Sequence, residues 1–345
     1  MAEPTEEAIA KEEELQRDFA RRGMNVLSKA GERVSADPET RIYAIGNRIL
    51  IGGADICGDR VRPTIPFGVR GLENGEYGVL WSVERAEGVD GPRYGDILTM
   101  FDDKPLEPGR RSGGALAGAM LDAAKAGREV NVGVRRGVQA LNFRVAPVMS
   151  CDYYIEYNSR NEANAHADGE RLVIYRGLLR LLGDDHEVAY VIGHELAHNA
   201  LDHVAGGNRN AIIAGLLGAF LDAAAGPDPD TGRVESNATR LAMQTQNSMF
   251  SAPLEREADY VGMYIMAAAG YDHEAAPDAI RRISSLDFDQ IEFQWGSTHP
   301  ATGERAAAAV ATAEEIGRKL AAGQPLIPEW KSAPQAKKSA TKKKK

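Results

Sequence analysis

Cysteine is almost missing from this chain of 345 residues: Cys57 and Cys151 are the whole supply. That excludes a cysteine-rich zinc site and leaves open whether the two are free buried thiols or one disulfide. Histidine is absent before His166. All seven (His166, His186, His194, His198, His203, His273 and His299) lie in the later part of the chain, so any imidazole-dependent chemistry belongs there. Long hydrophobic runs are missing too. The longest, Ala211 to Leu221, is about half of the roughly 20 residues a membrane-crossing helix needs. The opening segment MAEPTEEAIAKEEELQRD has no apolar h-region, so no signal peptide is expected there, although an initiator Met placed before a mature sequence would look the same. No internal repeat is visible.

Positive charge is scarce except at one end. The formal charge is −9, and the last fifteen residues, KSAPQAKKSATKKKK, hold seven lysines and no acid, so residues 1–330 carry −16. An acidic body is the wrong surface for phosphate backbones, which argues against nucleic acid as a partner. The tail 331–345 has no aromatic residues to build a core and is expected to be disordered, with contact to phosphate or peripheral contact to an anionic membrane surface as its functional option.

What is present divides into three textures. Residues 1–40 are charge-rich and open with a stretch suited to a solvated helix outside the main core. Residues 41–148 alternate short apolar stretches with Gly and Pro. Within them 75–83 and 95–101 are predicted strands, 113–126 a Gly/Ala-rich helix, and the alternation of Val130, Val132 and Val134 with Leu141, Phe143 and Val145 a hairpin. Residues 149–330 are mostly helical in spacing, over 171–182, 186–204, 208–223, 253–269, 274–285 and 302–322. Gly226 to Gly232 form a loop, and Asn164 to Gly169 suit a β-hairpin arm and its turn. The expected class is α+β: a β-rich domain followed by a mainly helical one with a small edge hairpin.

The chemistry concentrates in Val191-Ile192-Gly193-His194-Glu195-Leu196-Ala197-His198. At about 100° per residue, His194, Glu195 and His198 fall at roughly 0°, 100° and 40° around a helix axis, so three polar groups share one sector of an otherwise apolar helix. Two imidazoles one turn apart can hold one zinc ion, and the intervening glutamate, set to the side, can act on water as a general base. His203 falls on the opposite side of the same wheel and is expected to face away. A catalytic zinc needs a third protein ligand and an open position. Glu255, in Leu254-Glu255-Arg256-Glu257-Ala258-Asp259 well downstream of His198, is the candidate. Asp259 lies one turn on and shares its face, suited to accept the second N–H of a metal-bound imidazole, while Glu257 is turned about 160° away. His166, His186 and His273 lack such a context and are expected at the surface.

Two resemblances follow from these segments. The order of strand, Gly-Asp-containing strand, helix and hairpin over 66–148 resembles a PDZ domain of the kind found in bacterial envelope proteases. That resemblance implies that Tyr77, Gly78, Val79 and Leu80 receive a protein C-terminus by strand addition. HELAH, the later EREAD and Ser297-Thr298-His299-Pro300-Ala301-Thr302-Gly303-Glu304-Arg305 together resemble the zinc metallopeptidases that include the heat-shock membrane proteases, the CAAX prenyl proteases and their soluble periplasmic relatives, over about 150–310. This resemblance implies a zincin-type domain holding one Zn²⁺ per chain on His194, His198 and Glu255. It makes Glu195 the general base, Asp259 a support, and the strand Asn164-Ala165-His166-Ala167 a border of the cleft that pairs with extended substrate. It also favours a bacterial periplasm or envelope. His299 has two even readings: an oxyanion or metal-blocking residue at the cleft, or part of a plain His-Pro helix start. The expected activity is hydrolysis of peptide bonds in unfolded or misassembled proteins. The rivals are a PDZ-containing adaptor with a self-inhibited or structural zinc site, and hydrolysis of a non-peptide substrate.

Overall fold

In a computed structural model the described residues are 4–17, 37–83, 91–107, 109, 112–182, 184–203, 252–284 and 302–329. His299, the predicted helix 208–223, the loop 226–232 and the basic tail lie outside them. Helix α1 spans residues 6–17, and α2 spans Pro38–Gly52. Strands β1 (Val61–Thr64), β2 (Phe67–Gly71), β3 (Tyr77–Ser82), β4 (Ile97–Phe101) and β5 (Lys104–Pro105) precede helix α3 (Ser112–Lys125). Then come β6 (Val130–Arg136), β7 (Gln139–Val145), β8 (Val148–Cys151), β9 (Tyr154–Asn158), β10 (Ala165–Ala167) and β11 (Arg171–Tyr175). Helices α4 (Arg176–Leu181), α5 (Asp185–Ala200), α6 (Ala252–Ala268), α7 (Ala276–Ser284) and α8 (Gly303–Ala321) complete the described chain. None of the described helices is long and apolar enough to cross a membrane.

The described residues form two hydrophobic cores. The smaller is built from Phe67, Val79, Leu98, Phe101, Val130, Val132 and Val134 of the sheet β2-β3-β4-β6-β7, covered by Leu116 and Ala123 of α3. The expected hairpin is there, with Val130 opposite Val145 and Val134 opposite Leu141. The larger core gathers α2, α5, α6, α7 and α8 with the three-stranded sheet β10-β11-β9. Mixed helix and sheet agree with the α+β expectation.

Several expectations need correction. Residues 41–52 do not belong with the β-rich texture. They continue α2, whose Ile42, Ile45 and Ile49 recur at helical spacing and are buried in the larger core. Arg171–Tyr175, expected as helix, is strand β11. Its Leu172, Val173 and Ile174 are buried between β9 and β10, and a three-residue apolar run cannot by itself be told from a helix segment. Helix α1 is not free in solvent either: Glu12 is 5% exposed and makes a two-pronged ion pair with Arg281 of α7, at 2.7 and 2.8 Å. Tyr77 to Val79 of β3 are no edge. β2 pairs with them on one flank and β4 or Asp96 on the other, which leaves no free backbone for an added strand there.

Cys57 and Cys151 are joined in a disulfide. β1 and β8 pair beside it, Val61 opposite Cys151 and Thr64 opposite Val148, so the chain leaves for the small sheet and returns through one two-stranded ribbon.

Asp37 links the two cores. It caps α2 by accepting from Thr40 N–H at 3.1 Å and takes Arg70 Nη1 of β2 at 2.6 Å. Hydrogen bonds from the Thr40 side chain and backbone, then Arg70, hold its carboxyl down at about 2. A lowered folded-state value means stability that is present above the ordinary carboxyl value near 4 and lost as the pH falls through 2. The group is open to solvent, so Asp37→Ala is expected to cost only about 1 kcal/mol at pH 7. In urea titrations that difference should shrink between pH 4 and 2; a constant difference would refute the assignment.

Candidate metal centre

Helix α5 is buried on every side. Val188, Ala189, Val191, Ile192, Leu196 and Ala197 are fully enclosed, and so are His194, Glu195 and His198. Asp184 starts the helix by accepting from the N–H groups of His186 and Glu187 at 2.9 and 3.0 Å. Polar groups enclosed this way must pair with one another or hold an ion.

Helix α6 crosses α5 almost backbone to backbone. A Cβ on Gly193 would stand 2.7 Å from Gly262 O, and one on Gly262 would stand 2.7 Å from His194 N, so both positions must be glycine for this crossing. The contact brings the first turn of α6 over the histidines. His194 Nε2 and His198 Nε2 are 3.0 Å apart, and the Glu255 carboxylate lies 3.5 Å from the first and 3.3 Å from the second. The three ligand atoms lie within 4.8 Å of one another, the spacing of donors around a common ion.

Behind the donors stands a charged frame. His194 Nδ1 is 2.8 Å from Asp259 Oδ1, and Tyr190 donates its hydroxyl to the same oxygen at 2.6 Å. Arg305, in the first turn of α8, donates Nε to Asp259 Oδ2 at 2.7 Å and Nη2 to Oδ1 at 2.8 Å, while Nη1 is 2.9 Å from Glu255 Oε2. Thr302 sets this turn by capping α8 on Arg305 N–H at 3.2 Å. Burial opposes charge on Asp259, but Arg305 outweighs it and holds the carboxyl far below its ordinary range. Burial likewise opposes charge on His194, yet hydrogen bonds to Asp259 and Glu255 lift it to about 9 in the metal-free protein. Tyr190 is pushed well above its ordinary value by burial and then by the Asp259 charge, so it stays a proton donor.

The frame is short of positive charge. Among the described residues, three buried carboxyl groups of the site, Glu195, Glu255 and Asp259, share one guanidinium, Arg305, and in the metal-free protein the His194 imidazolium. A divalent cation between His194, His198 and Glu255 corrects that imbalance, and two imidazoles with one carboxylate suit a first-row ion. The residues present therefore fit a metal.

The structure brings His194, Glu195, His198, Glu255 and Asp259 together. Residues Asn164 to Ala167 fall on β10 and the residue before it. Among the described residues β10 is the terminal strand of its sheet, antiparallel to β11 and packed on α5. Asn199 ties the turn of that hairpin to the metal-site helix: its side chain accepts from Gly169 N–H at 2.8 Å and donates to Arg171 O at 3.2 Å. The residues Tyr77 to Leu80 lie on the small sheet, in the other core. His166 and His186 are half-buried, and His273 is buried in a short turn capped by Asp272, so the surface expectation for it is corrected.

His203 requires the larger correction. It does not face away: it is 5% exposed, and its Nδ1 sits 3.0 Å from His198 Nδ1. The wheel fails because α5 ends at Ala200 and Asp202 turns the chain back with φ of 62°. Burial lowers the pKa of His203. Arg305 and Asn199 were also unassigned in the sequence, although Arg305 ends the quoted THPATGER segment and Asn199 directly follows HELAH.

A family model described as peptidase family M48 matches residues 130–313, more than half of the chain. The chain is 33% identical over 135 residues to the mitochondrial metalloendopeptidase OMA1 of Arabidopsis thaliana, covering 39% of this chain and 26% of that one. Against the mitochondrial metalloendopeptidase OMA1 of Saccharomyces cerevisiae it is 26% identical over 142 residues, or 40% and 39% of the two chains. Against the beta-barrel assembly-enhancing protease of Escherichia coli O157:H7 it is 28% identical over 132 residues, or 36% and 27%. The chain thus spans well under half the length of these relatives.

Proposed function

Because the chain belongs to peptidase family M48, we propose that it is a zinc-dependent endopeptidase acting on polypeptides, with His194, His198 and Glu255 holding the ion and Glu195 serving as general base. The observation that carries this reading is the convergence of the three donors within 4.8 Å, with Glu195 buried on the same helix between the two histidines. A bound zinc ion supplies a Lewis acid that polarises a scissile carbonyl and makes water acidic enough to lose a proton near neutral pH.

The protein's own residues do the rest. Glu195 takes the proton from the attacking water and returns it to the departing amine, so one carboxyl serves as base and then acid. Asp259, held by Arg305 and Tyr190, fixes the His194 ring with Nε2 on the side of His198 and Glu255, where it would serve as a ligand. Arg305 also restrains Glu255, with Nη1 2.9 Å from Oε2. The outer flank of β10 meets no strand among the described residues, which suits an extended substrate adding alongside Ala165 to Ala167, and Asn199 of α5 holds the turn that follows β10. The small sheet, in its PDZ-like reading, takes part in substrate choice, though not through strand addition at Tyr77 to Val79. The Cys57–Cys151 bond suits an oxidising compartment, the cell envelope among them.

Digestion of a denatured protein is the test. Zinc-loaded full-length chain is expected to cut it, a chelator to stop cleavage, and added Zn²⁺ to restore it. A zinc-loaded chain that leaves unfolded protein intact would favour the adaptor reading.

A further inference from the structure

The two imidazoles of the centre are backed differently. His194 leans directly on a buried carboxylate, Asp259. His198 leans on a second imidazole, with His203 Nδ1 at 3.0 Å from His198 Nδ1, and His203 Nε2 in turn lies 3.3 Å from Glu257 Oε2. One helical turn of α6 therefore supplies three carboxyl groups with three tasks: Glu255 beside both Nε2 atoms, Asp259 behind one ring, and Glu257 at the end of the chain behind the other.

We propose that His203 and Glu257 form a positioning pair that fixes the tautomer and orientation of His198; this rests on the reading of His198 as a metal ligand. For His198 Nε2 to offer its lone pair, the neutral ring must carry its hydrogen on Nδ1, and on a fully buried ring that hydrogen needs an acceptor. His203 Nδ1 lies at hydrogen-bond distance. Two protonated nitrogens would repel at 3.0 Å, so His203 holds its own hydrogen on Nε2, directed at the Glu257 carboxylate. Donation runs from His198 to His203 to Glu257. The Glu257 side chain is 42% exposed, so this chain ends at solvent whereas the one behind His194 ends at a buried guanidinium.

The geometry also separates this role from packing. A phenyl ring replacing His203 fills a similar volume without an acceptor, while asparagine restores an acceptor without the ring. The measurement is zinc affinity, by competition with a chromogenic chelator on the full-length chain, with urea unfolding of the metal-free protein as the control for folding. H203F is expected to fold and to lose about 10–100-fold in zinc affinity, the usual range for removing a partner behind a ligand. H203N should regain most of that loss. E257A, at a half-exposed position, should weaken binding by about 2–10-fold in the wild-type background and have no further effect in H203F.

Zinc affinity of H203F within twofold of wild type overturns the pair, as does an equal effect of E257A in both backgrounds. If H203F does not fold, E257A alone decides, and unchanged zinc affinity in that variant overturns the pair. H198A separates this from the reading beneath it. Undiminished zinc binding by H198A would remove His198 from the ligand set, whereas loss of zinc in H198A beside normal binding in H203F would remove only the positioning pair.

Discussion

Glu195→Gln is expected to retain its metal and lose about 10²–10⁴-fold in kcat, the range attributed to a positioned proton-transfer group. Glutamine matches glutamate in shape, so the enclosed helix face keeps its packing, but the amide cannot accept the proton of the attacking water. Glu195 lies outside the donor triad, which is why zinc content should stay near one per chain. His194→Ala, His198→Ala and Glu255→Ala each remove a donor and should lose metal and activity together. A second readout follows from the charge surplus. Among the described residues Glu195 is one of three carboxyl groups enclosed with the Arg305 guanidinium and the His194 imidazolium, so Glu195→Gln should leave the metal-free protein as stable as wild type or more so in urea. Zinc content, peptidase rate and urea midpoint measured on these four variants test the assignment. A Glu195→Gln protein with wild-type kcat would end it.

Arg305→Met should destabilise the metal-free protein by about 3–5 kcal/mol, the cost of leaving a buried charge without its partner. Two carboxylates lose their counter-ion at once, because Arg305 reaches both Asp259 and Glu255. Arg305→Lys keeps the charge but cannot span both groups with a planar fork, so an intermediate loss is expected. Asp259→Asn combined with Arg305→Met should cost less than the two single changes added, since their partners coincide. Saturating zinc should recover part of the Arg305→Met loss by giving Glu255 another cation. Equilibrium urea unfolding with and without zinc reads all of this, and a loss below about 1 kcal/mol would show that the guanidinium is not the anchor of the frame.

The catalytic helix could be read in the sequence because its regularity runs unbroken through the residues that matter. His194, Glu195 and His198 lie inside α5, so a fixed angle per residue placed them on one sector. The same arithmetic failed at His203, just past the end of the helix, where the positive φ of Asp202 sends the chain back toward His198. Arg305 was hidden for another reason. Its partners sit far back in the chain, on the first turns of α6, and its local signal, a threonine cap, announces only that a helix begins. Helix α2 shows the limit for fold: Ile42, Ile45 and Ile49 mark an apolar face, but nothing in their spacing says which of two cores that face will join. Leu172 to Ile174 show it for secondary structure, since pairing with strands from either side decided between helix and strand.

The paired ribbon of β1 and β8, with its disulfide, has a consequence for how the molecule comes apart and how it could have been assembled. Everything from Ile65 to Pro147 lies inside one covalent ring whose two ends are adjacent, Thr64 facing Val148. The small sheet is thus an appendix on the helical body, and the body's chain path is continuous in space without it. A peptide bond cut anywhere in that appendix would nick the chain without releasing either fragment. A short turn joining Thr64 to Val148 would close the body over the gap, which makes the small sheet a unit that can be gained, lost or exchanged while the metal centre keeps its frame.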